Sequence, residues 1–333
     1  MKVMIQIPCL NEEHTLPVLW PHLPTRLPGV DVIETVVVDD GSRDATAEVA
    51  RRLGATHVVR LTSRKGLARA FKEGIDTCLQ HGADVIVNTD ADNQYWGEDI
   101  AALVKPILSG SADIVIGDRQ VSTQRQFSLT KRLLQRFGSW VVRSLSGIDV
   151  PDAASGFRAY SREAALRTHV FSSYTYTHET LIEAGRKNLK VISVPIRTNP
   201  PVRRSRLFNN TLIYVLRSAK TILQTYIVYA PLRVLALCSL LAFVPGGCLV
   251  GRFLYYYVSS DGPTGYVQSL VIGSGLIGIS VFVFLFGIIA DLTRVNRTLM
   301  EDMLYIVRSQ RSETSQRSGQ RPVLLSRVDR DAV

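Results

Sequence analysis

Cysteine is scarce in this chain of 333 residues: Cys9, Cys78, Cys238 and Cys248 are the only four, and none forms a Cys-x-x-Cys pair. That spacing offers neither a disulfide framework nor a zinc-ligand set, so all four are read as reduced thiols. No glycine-rich phosphate loop of the Walker or dinucleotide type is present, so phosphate charge must be met by something other than a cradle of backbone amides. No Ser-His-Asp arrangement can be placed on the sequence. The first residues enter a strand pattern directly, and no signal peptide is expected. Acids are missing from residues 203–233, where Arg203, Arg204, Arg206, Arg217, Lys220 and Arg233 stand without one. Such a block suits a polyanion. Long apolar runs follow it at once, however, so anionic lipid headgroups are the expected partner rather than nucleic acid.

What is present is a regular alternation. Residues 3–7, 35–39 and 56–60 read as buried strands, as do 84–87 and, later, 113–117 and 191–196. Between them, residues 44–53, 65–80 and 99–108 carry helical periodicity, with Ser42 or Asp44 as the N-cap of the first. Strand and helix in this order give an α/β fold, a Rossmann-like, mostly parallel sheet covered on both faces, over roughly the first 120 residues. A basic helix is expected over 127–145, then a turn at Asp149-Val150-Pro151-Asp152.

The strand at 84–87 runs into Asn88-Thr89-Asp90-Ala91-Asp92-Asn93-Gln94. Two carboxylates one residue apart cannot both enter a core unpaired, so they belong at the mouth of the sheet, where α/β folds bind ligands. Taken alone, such a pair is more often simply a polar turn after a strand. As oxygen ligands, Asp90 and Asp92 suit Mg²⁺ or Mn²⁺ held together with substrate phosphates. Three more clusters fall at strand ends: Pro8-Cys9-Leu10-Asn11-Glu12, Asp39-Asp40-Gly41-Ser42-Arg43-Asp44 and Asp118-Arg119. Arg64-Lys65-Gly66 opens the next helix. Acids at successive strand ends repel one another unless a cation or hydrogen-bond donors lie between them. A metal-bound nucleotide supplies both. Tyr95 and Trp96 beside the loop either stack on sugar or pack; His178 reads as a helix-surface residue and Trp140 as core or interface.

Beyond residue 200 the character changes. Residues 206–229 mix aliphatic, aromatic and basic side chains as in a helix lying in the membrane interface. Residues 234–251 are nearly pure apolar, and 265–290 carry no charge. Each approaches the roughly 20 residues a spanning helix needs; Pro245-Gly246-Gly247 is a candidate kink. The connecting residues 259–264 hold one acid and no base, whereas arginines precede the first span and follow the second. The positive-inside rule then places both termini in the cytoplasm, with two spans in the cell membrane. From Ser309 the tail is polar and expected to be unstructured.

The series Pro-x-x-Asn-Glu, Asp-Asp-Gly-Ser-x-Asp, Thr-Asp-Ala-Asp-x-Gln, Gly-x-Arg and Ser-Gly-Phe-Arg resembles family 2 glycosyltransferases with the GT-A fold. Within them it is similar to the polyprenyl-phosphate hexosyltransferases of the dolichol-phosphate mannose synthase type. The resemblance covers about residues 1–200, and the two-span tail resembles the bacterial and archaeal glucosyl branch. It implies a nucleoside pocket lined by Pro8, Leu10, Glu12 and Asp40, with Asn11, Asp39, Lys65 and Ala91 on the same nucleotide-sugar side. Asp90, Asp92 and Gln94 would hold the metal and diphosphate, Arg119 and Lys131 would meet the acceptor phosphate, and Asp152 would close the sugar pocket. Glu179 falls at the family's acidic position in the next helix. Lys131 stands where an arginine is usual and Gln135 where a small hydroxyl occurs. Arg203-Arg204-Ser205-Arg206 lacks the usual glycine, which leaves Arg204 either a diphosphate ligand or a membrane anchor.

The expected protein is a metal-dependent, inverting glycosyltransferase. It would move a hexose from a UDP- or GDP-linked donor to a polyprenyl phosphate, undecaprenyl or dolichyl, on the cytoplasmic face. The expected division is a catalytic domain over 1–202, juxtamembrane helices over 203–232, spans over 233–290 and a tail over 291–333. Homo-oligomerisation is open. A processive polysaccharide synthase would need a Gln-x-x-Arg-Trp motif and further spans, and neither is present. A non-catalytic membrane scaffold has no use for the carboxylate series.

Overall fold

The computed structural model describes residues 1–120, 146–170, 176–199, 230–259 and 265–318, together with residues 140, 143, 144, 224 and 227. Lys131, Arg204 and most of the helices expected over 127–145 and 206–229 lie outside the described residues. Chain contacts divide the molecule into two compact units, Met1–Ser218 with Glu301–Val333, and Ala219–Met300.

The first unit is built on a seven-stranded sheet in the order β3-β2-β1-β4-β6-β5-β7. Strands β1 (Lys2–Cys9), β2 (Val32–Asp39), β3 (His57–Arg60) and β4 (Val85–Asn88) run parallel. So do β5 (Ile114–Asp118) and β7 (Val191–Pro195). Seven of the eight residues of β1 and all four of β4 are buried, as expected of strands covered on both faces. Helices α1 (Leu16–Leu19), α2 (Thr46–Arg52), α3 (Leu67–Gln80) and α4 (Ile100–Leu108) connect them. The N-cap of α2 is Ala45 rather than Ser42 or Asp44; the Asp44 carboxylate instead accepts from the Thr46 backbone N–H at 3.1 Å.

One strand makes the sheet mostly rather than wholly parallel, as expected of this fold class. β6 (Arg158–Ser161) runs antiparallel between β4 and β5. Its sequence, Arg-Ala-Tyr-Ser, has neither alternation nor a β-branched run to announce it. The reversal matters for function. Parallel strands present their carboxyl ends at one edge, and an antiparallel neighbour presents its amino end there. The register pairs Asn88 with Arg158, which brings the Gly156-Phe157-Arg158 turn alongside the end of β4. Helices α5 (Arg162–Arg167) and α6 (Thr177–Arg186) follow β6.

The second unit holds α7 (Pro231–Ser259) and the first part of α8 (Val267–Ser318), both long and apolar enough to cross a membrane. α7 continues through Pro245. The two helices approach closely where Gly246 meets Gly273: a Cβ on Gly273 would lie 2.8 Å from the Gly246 carbonyl. The Ser239 and Ser280 hydroxyls bond across the pair at 3.0 Å. Small residues and interhelical hydroxyl bonds are the means of helix pairing in lipid.

The tail expected to be unstructured from Ser309 is helical to Ser318. The helix residues just before it, from Glu301, belong with it to the first unit. Arg308 pairs with Asp76 of α3 at 2.9 Å and donates to the Thr168 carbonyl at 2.7 Å, and Tyr305 hydrogen-bonds Glu163 of α5. Polar composition is a sign of disorder only where no partner surface compensates the lost chain entropy. Here Tyr305 and Arg308 anchor the helix just before this stretch.

Candidate active site

The turns after β1 and β2 are stitched together. Asn11, in the left-handed region at φ 55°, receives the Arg43 N–H on its side-chain oxygen at 2.9 Å and donates its own N–H to the Ser42 hydroxyl at 2.8 Å. The buried Glu12 donates its N–H to the Thr46 hydroxyl at 2.8 Å, and its carboxylate accepts from Thr15. Asp40 accepts the backbone N–H groups of Lys65 and Gly66 at 2.6 and 2.9 Å. Gly41 sits at φ +70°, where a Cβ would strike the Ser63 backbone at 2.6 Å, so only glycine fits this turn. Asp39 is fully buried. It accepts from the Ser42 N–H at 2.8 Å and faces the Arg60 guanidinium at 3.4 Å, which makes it a support of the turn rather than a solvent-facing ligand. Pro8 is buried in β1, Leu10 is half-buried beyond it, and the Lys65 side chain is exposed.

The second group lies at the ends of β4, β5 and β6. Burial and the adjacent Asp92 raise the Asp90 pKa, while Arg119, Tyr95 and Arg158 act against the rise. Asp92 accepts the Gln94 N–H at 3.1 Å, closing a tight turn around Asn93 at φ 56°; Ala91 is buried beneath. Arg119 forms a two-point pair with Asp152, Nε to Oδ2 at 2.7 Å and Nη2 to Oδ1 at 2.9 Å, and Asp152 is fully buried. Burial works against the Arg119 charge, yet Tyr95, the Asp152 hydrogen bonds and Asp90 outweigh it and raise its pKa. The two groups lie side by side, because β1 stands between β2 and β4 in the sheet; the buried Cys9 thiol at the end of β1 is pushed well up by burial and by Glu12, Asp39, Asp44 and Asp90.

A buried polar scaffold underlies the carboxylates. Gln6 donates to Asn88 at 2.9 Å, and Asn88 donates to the Gly156 carbonyl at 2.7 Å and to the Tyr176 hydroxyl at 2.9 Å. A Cβ on Gly156 would lie 2.8 Å from the Tyr176 hydroxyl and 3.0 Å from Asp90 Oδ2, so this glycine makes room for the carboxylate. Tyr95 packs on Phe157 with ring centroids 4.9 Å apart. Trp96 instead lies under Arg197, whose guanidinium carbon is 4.5 Å from the ring centroid.

The family model for "Glycosyl transferase family 2" matches residues 4–167. Polyprenol monophosphomannose synthase of Mycolicibacterium smegmatis is 30% identical over 206 residues, covering 59% of this chain and 76% of that one. The chain belongs to glycosyltransferase family 2. Undecaprenyl-phosphate mannosyltransferase of Micrococcus luteus is also 30% identical over 206 residues, 59% of this chain and 83% of that one. Among solved structures, glucosyl-3-phosphoglycerate synthase of Mycobacterium tuberculosis, in complex with Mn²⁺, UDP and glucosyl-3-phosphoglycerate, superposes with a TM-score of 0.53. At 21% identity over 68% of this chain and 78% of that one, it shows a shared fold.

In this glycosyltransferase the sequence pattern located the acids but not their supports. Arg158 is fully buried and donates to the carbonyls of Ala153, Ser155 and Thr177 and to the Thr180 hydroxyl, all at 2.8–2.9 Å. Four acceptors satisfy a guanidinium that burial would otherwise destabilise. They tie the loop bearing Asp152 to the start of α6, where Glu179 is buried in the first turn. His178, expected on the surface, is half-buried; burial and Arg158 push its pKa down to about 4, so it is neutral near pH 7. Trp140, expected in a core or interface, is 57% exposed and so not a core residue. Asn88 and Tyr176 were hidden too, and the only hint was an amide at the end of an apolar strand.

Proposed function

We propose that this glycosyltransferase moves a hexose from a nucleotide-diphosphate sugar to a polyprenyl phosphate at the cytoplasmic face of a membrane. The observation that carries this reading is one chain holding both a strand-end pair of carboxylates beside a fixed arginine and two helices of membrane length. The names of the Mycolicibacterium and Micrococcus relatives support a polyprenyl phosphate acceptor and put mannose first among the sugars.

Asp90 and Asp92 fit a hard divalent cation. Both offer only oxygen, and their mutual repulsion is what a bound cation relieves. Mg²⁺ or Mn²⁺ held there, with Gln94 alongside, would neutralise the diphosphate that leaves with the nucleotide. Pro8, Leu10, Asn11, Glu12 and Asp40 line the nucleoside side in this reading. The Asp152 carboxylate holds the Arg119 fork against rotation, so its charge is aimed before substrate arrives. A phosphate monoester is mostly ionised near pH 7, with a second pKa of about 6, so the acceptor is its own nucleophile and needs no strong base. Arg119, with Lys131 from outside the described residues, meets the acceptor phosphate, and Arg204, also outside them, is either a diphosphate ligand or a membrane anchor. Arginines flanking the apolar helices support a cytoplasmic site.

The test is transfer from a panel of labelled nucleotide sugars in sealed inside-out and right-side-out vesicles from expressing cells. Label is expected in extracted lipid from inside-out vesicles. Label in polymer or protein alone would refute the acceptor, and transfer confined to right-side-out vesicles would refute the orientation.

A further inference from the structure

The chain leaving β7 is bonded at each residue, first to the end of β5 and the start of α4, and then to the loop that carries the two carboxylates. The Ile196 N–H donates to the Asp118 carbonyl at 3.0 Å, next to Arg119. Arg197 donates to both Asp99 carboxylate oxygens, at 2.6 Å from Nη2 and 2.8 Å from its backbone N–H, and covers Trp96. Thr198 forms an antiparallel bridge with Tyr95. Asn199 closes the series: its N–H donates to the Gln94 carbonyl at 2.9 Å and its side-chain Nδ2 to the Asn93 carbonyl at 2.9 Å.

Those last two bonds fall on the peptides that orient Asp92. Asn93 is a buried non-glycine residue at φ 56°, a conformation that an asparagine adopts at some cost and keeps when its surroundings impose it. Asp92 in turn depends on that turn, because its Oδ1 accepts the Gln94 N–H across it. The contacts thus run from Asn199 to the Asn93 and Gln94 peptides and from there to the Asp92 carboxylate. Arg197 and Asn199 touch neither carboxylate. They act by fixing the backbone between Asp92 and α4.

We infer that Asn199 is a positioning residue for the metal and diphosphate loop, and that the segment from Ile196 to Asn199 is its brace. The inference rests on the reading of Asp90 and Asp92 given above. It adds that donor affinity is set partly by residues more than a hundred positions downstream, in the stretch that runs on into the basic residues 203–233.

The experiment uses the full chain purified in detergent. Mn²⁺ binding in the presence of UDP or GDP is followed by the loss of the free-ion electron paramagnetic signal, alongside steady-state kinetics. For Asn199→Ala, which loses one side-chain hydrogen bond, the Mn²⁺ dissociation constant and the nucleotide-sugar KM should each rise about fivefold. The polyprenyl phosphate KM and the kcat at saturating metal should stay within twofold of wild type. Asn199→Asp sets a carboxylate against the Asn93 carbonyl and should exceed the alanine variant. Asn199→Gln retains an amide donor and should recover part of the loss. A merely structural role would lower the folded fraction and leave both constants unchanged, and that outcome, or a rise confined to the lipid KM, overturns the inference. Failure of the wild-type chain to bind Mn²⁺ with either nucleotide would instead overturn the underlying assignment of Asp90 and Asp92.

Discussion

Among the described residues of one compact unit, a buried cluster of carboxylates and the half-buried pair Asp90 and Asp92 are built in opposite ways. Around α6, the side chains of His169, Glu183 and Glu301 bring ligand-type atoms within 4.8 Å of one another, a spacing that by itself suits a metal ion. Lys187 already fills that role, with its ammonium 2.6 Å from Glu183, 3.3 Å from the His169 ring nitrogen and 3.7 Å from Glu301. At the ends of β4 and β5, by contrast, Asp90 is destabilised by burial and by Asp92, and the nearest arginine is committed to Asp152. The first cluster carries its own cation and joins α6 to α8. The second keeps a repulsion that a bound cation and a diphosphate complex would relieve, which is why sites of this kind mark function. Clustered acids thus mean different things according to what the fold sets beside them.

The sharpest way to break the comparison is to remove one charge from the strand-end pair. Asp92→Asn should lower transfer at least about a hundredfold, equivalent to roughly 2.7 kcal/mol. The melting temperature should be unchanged or higher, because a like-charge contact is lost. Chelation of divalent cations should reproduce the loss in the wild-type chain, and added Mg²⁺ or Mn²⁺ should reverse it. A variant that melts earlier while retaining activity would place Asp92 with the structural cluster.

The converse holds for Glu183→Gln. Leaving Lys187 with a weakened set of partners in a buried position should cost about 3 kcal/mol of stability, read by denaturant unfolding. Activity per folded molecule should remain within about twofold of wild type. Loss of activity without loss of stability would reverse the assignment.

A smaller effect separates the two halves of the strand-end site itself. Arg119→Ala removes a charge-assisted contact of about 1.5–3 kcal/mol, so lipid KM should rise or kcat fall about ten- to a hundredfold. Nucleotide-sugar binding by calorimetry should stay nearly constant. If nucleotide affinity fell while lipid KM held, Arg119 would belong to the donor side.

Much of this molecule was legible from local pattern. The runs Val-Met-Ile and Val-Ile-Val, the alternation of strand and helix and the two apolar spans are each written within a dozen or two residues. They report burial directly, because an apolar run has few other places to go. Asp90 and Asp92 were legible for the complementary reason, since paired charges at the end of a buried strand must stay at its mouth. The exceptions were short or polar pieces. Arg-Ala-Tyr-Ser gave no strand pattern, and the arginine-rich start of the α8 tail looked like a segment without a partner.

Tertiary structure decided the pairings. Arg119 meets Asp152 at a separation of 33 residues, Asn199 reaches Asn93 at 106 and Arg308 reaches Thr168 at 140. No local preference specifies such partners. The antiparallel insertion of β6 between β4 and β5 sets Gly156 against Asp90 and lets Arg158 pin the loop of Asp152, and a parallel strand there would have presented the opposite end. The sequence by itself determined which residues had to be at the edge of the sheet. Only the strand order determined which of them face one another, because facing is fixed by long-range hydrogen-bond register, and register is a property of the assembled sheet.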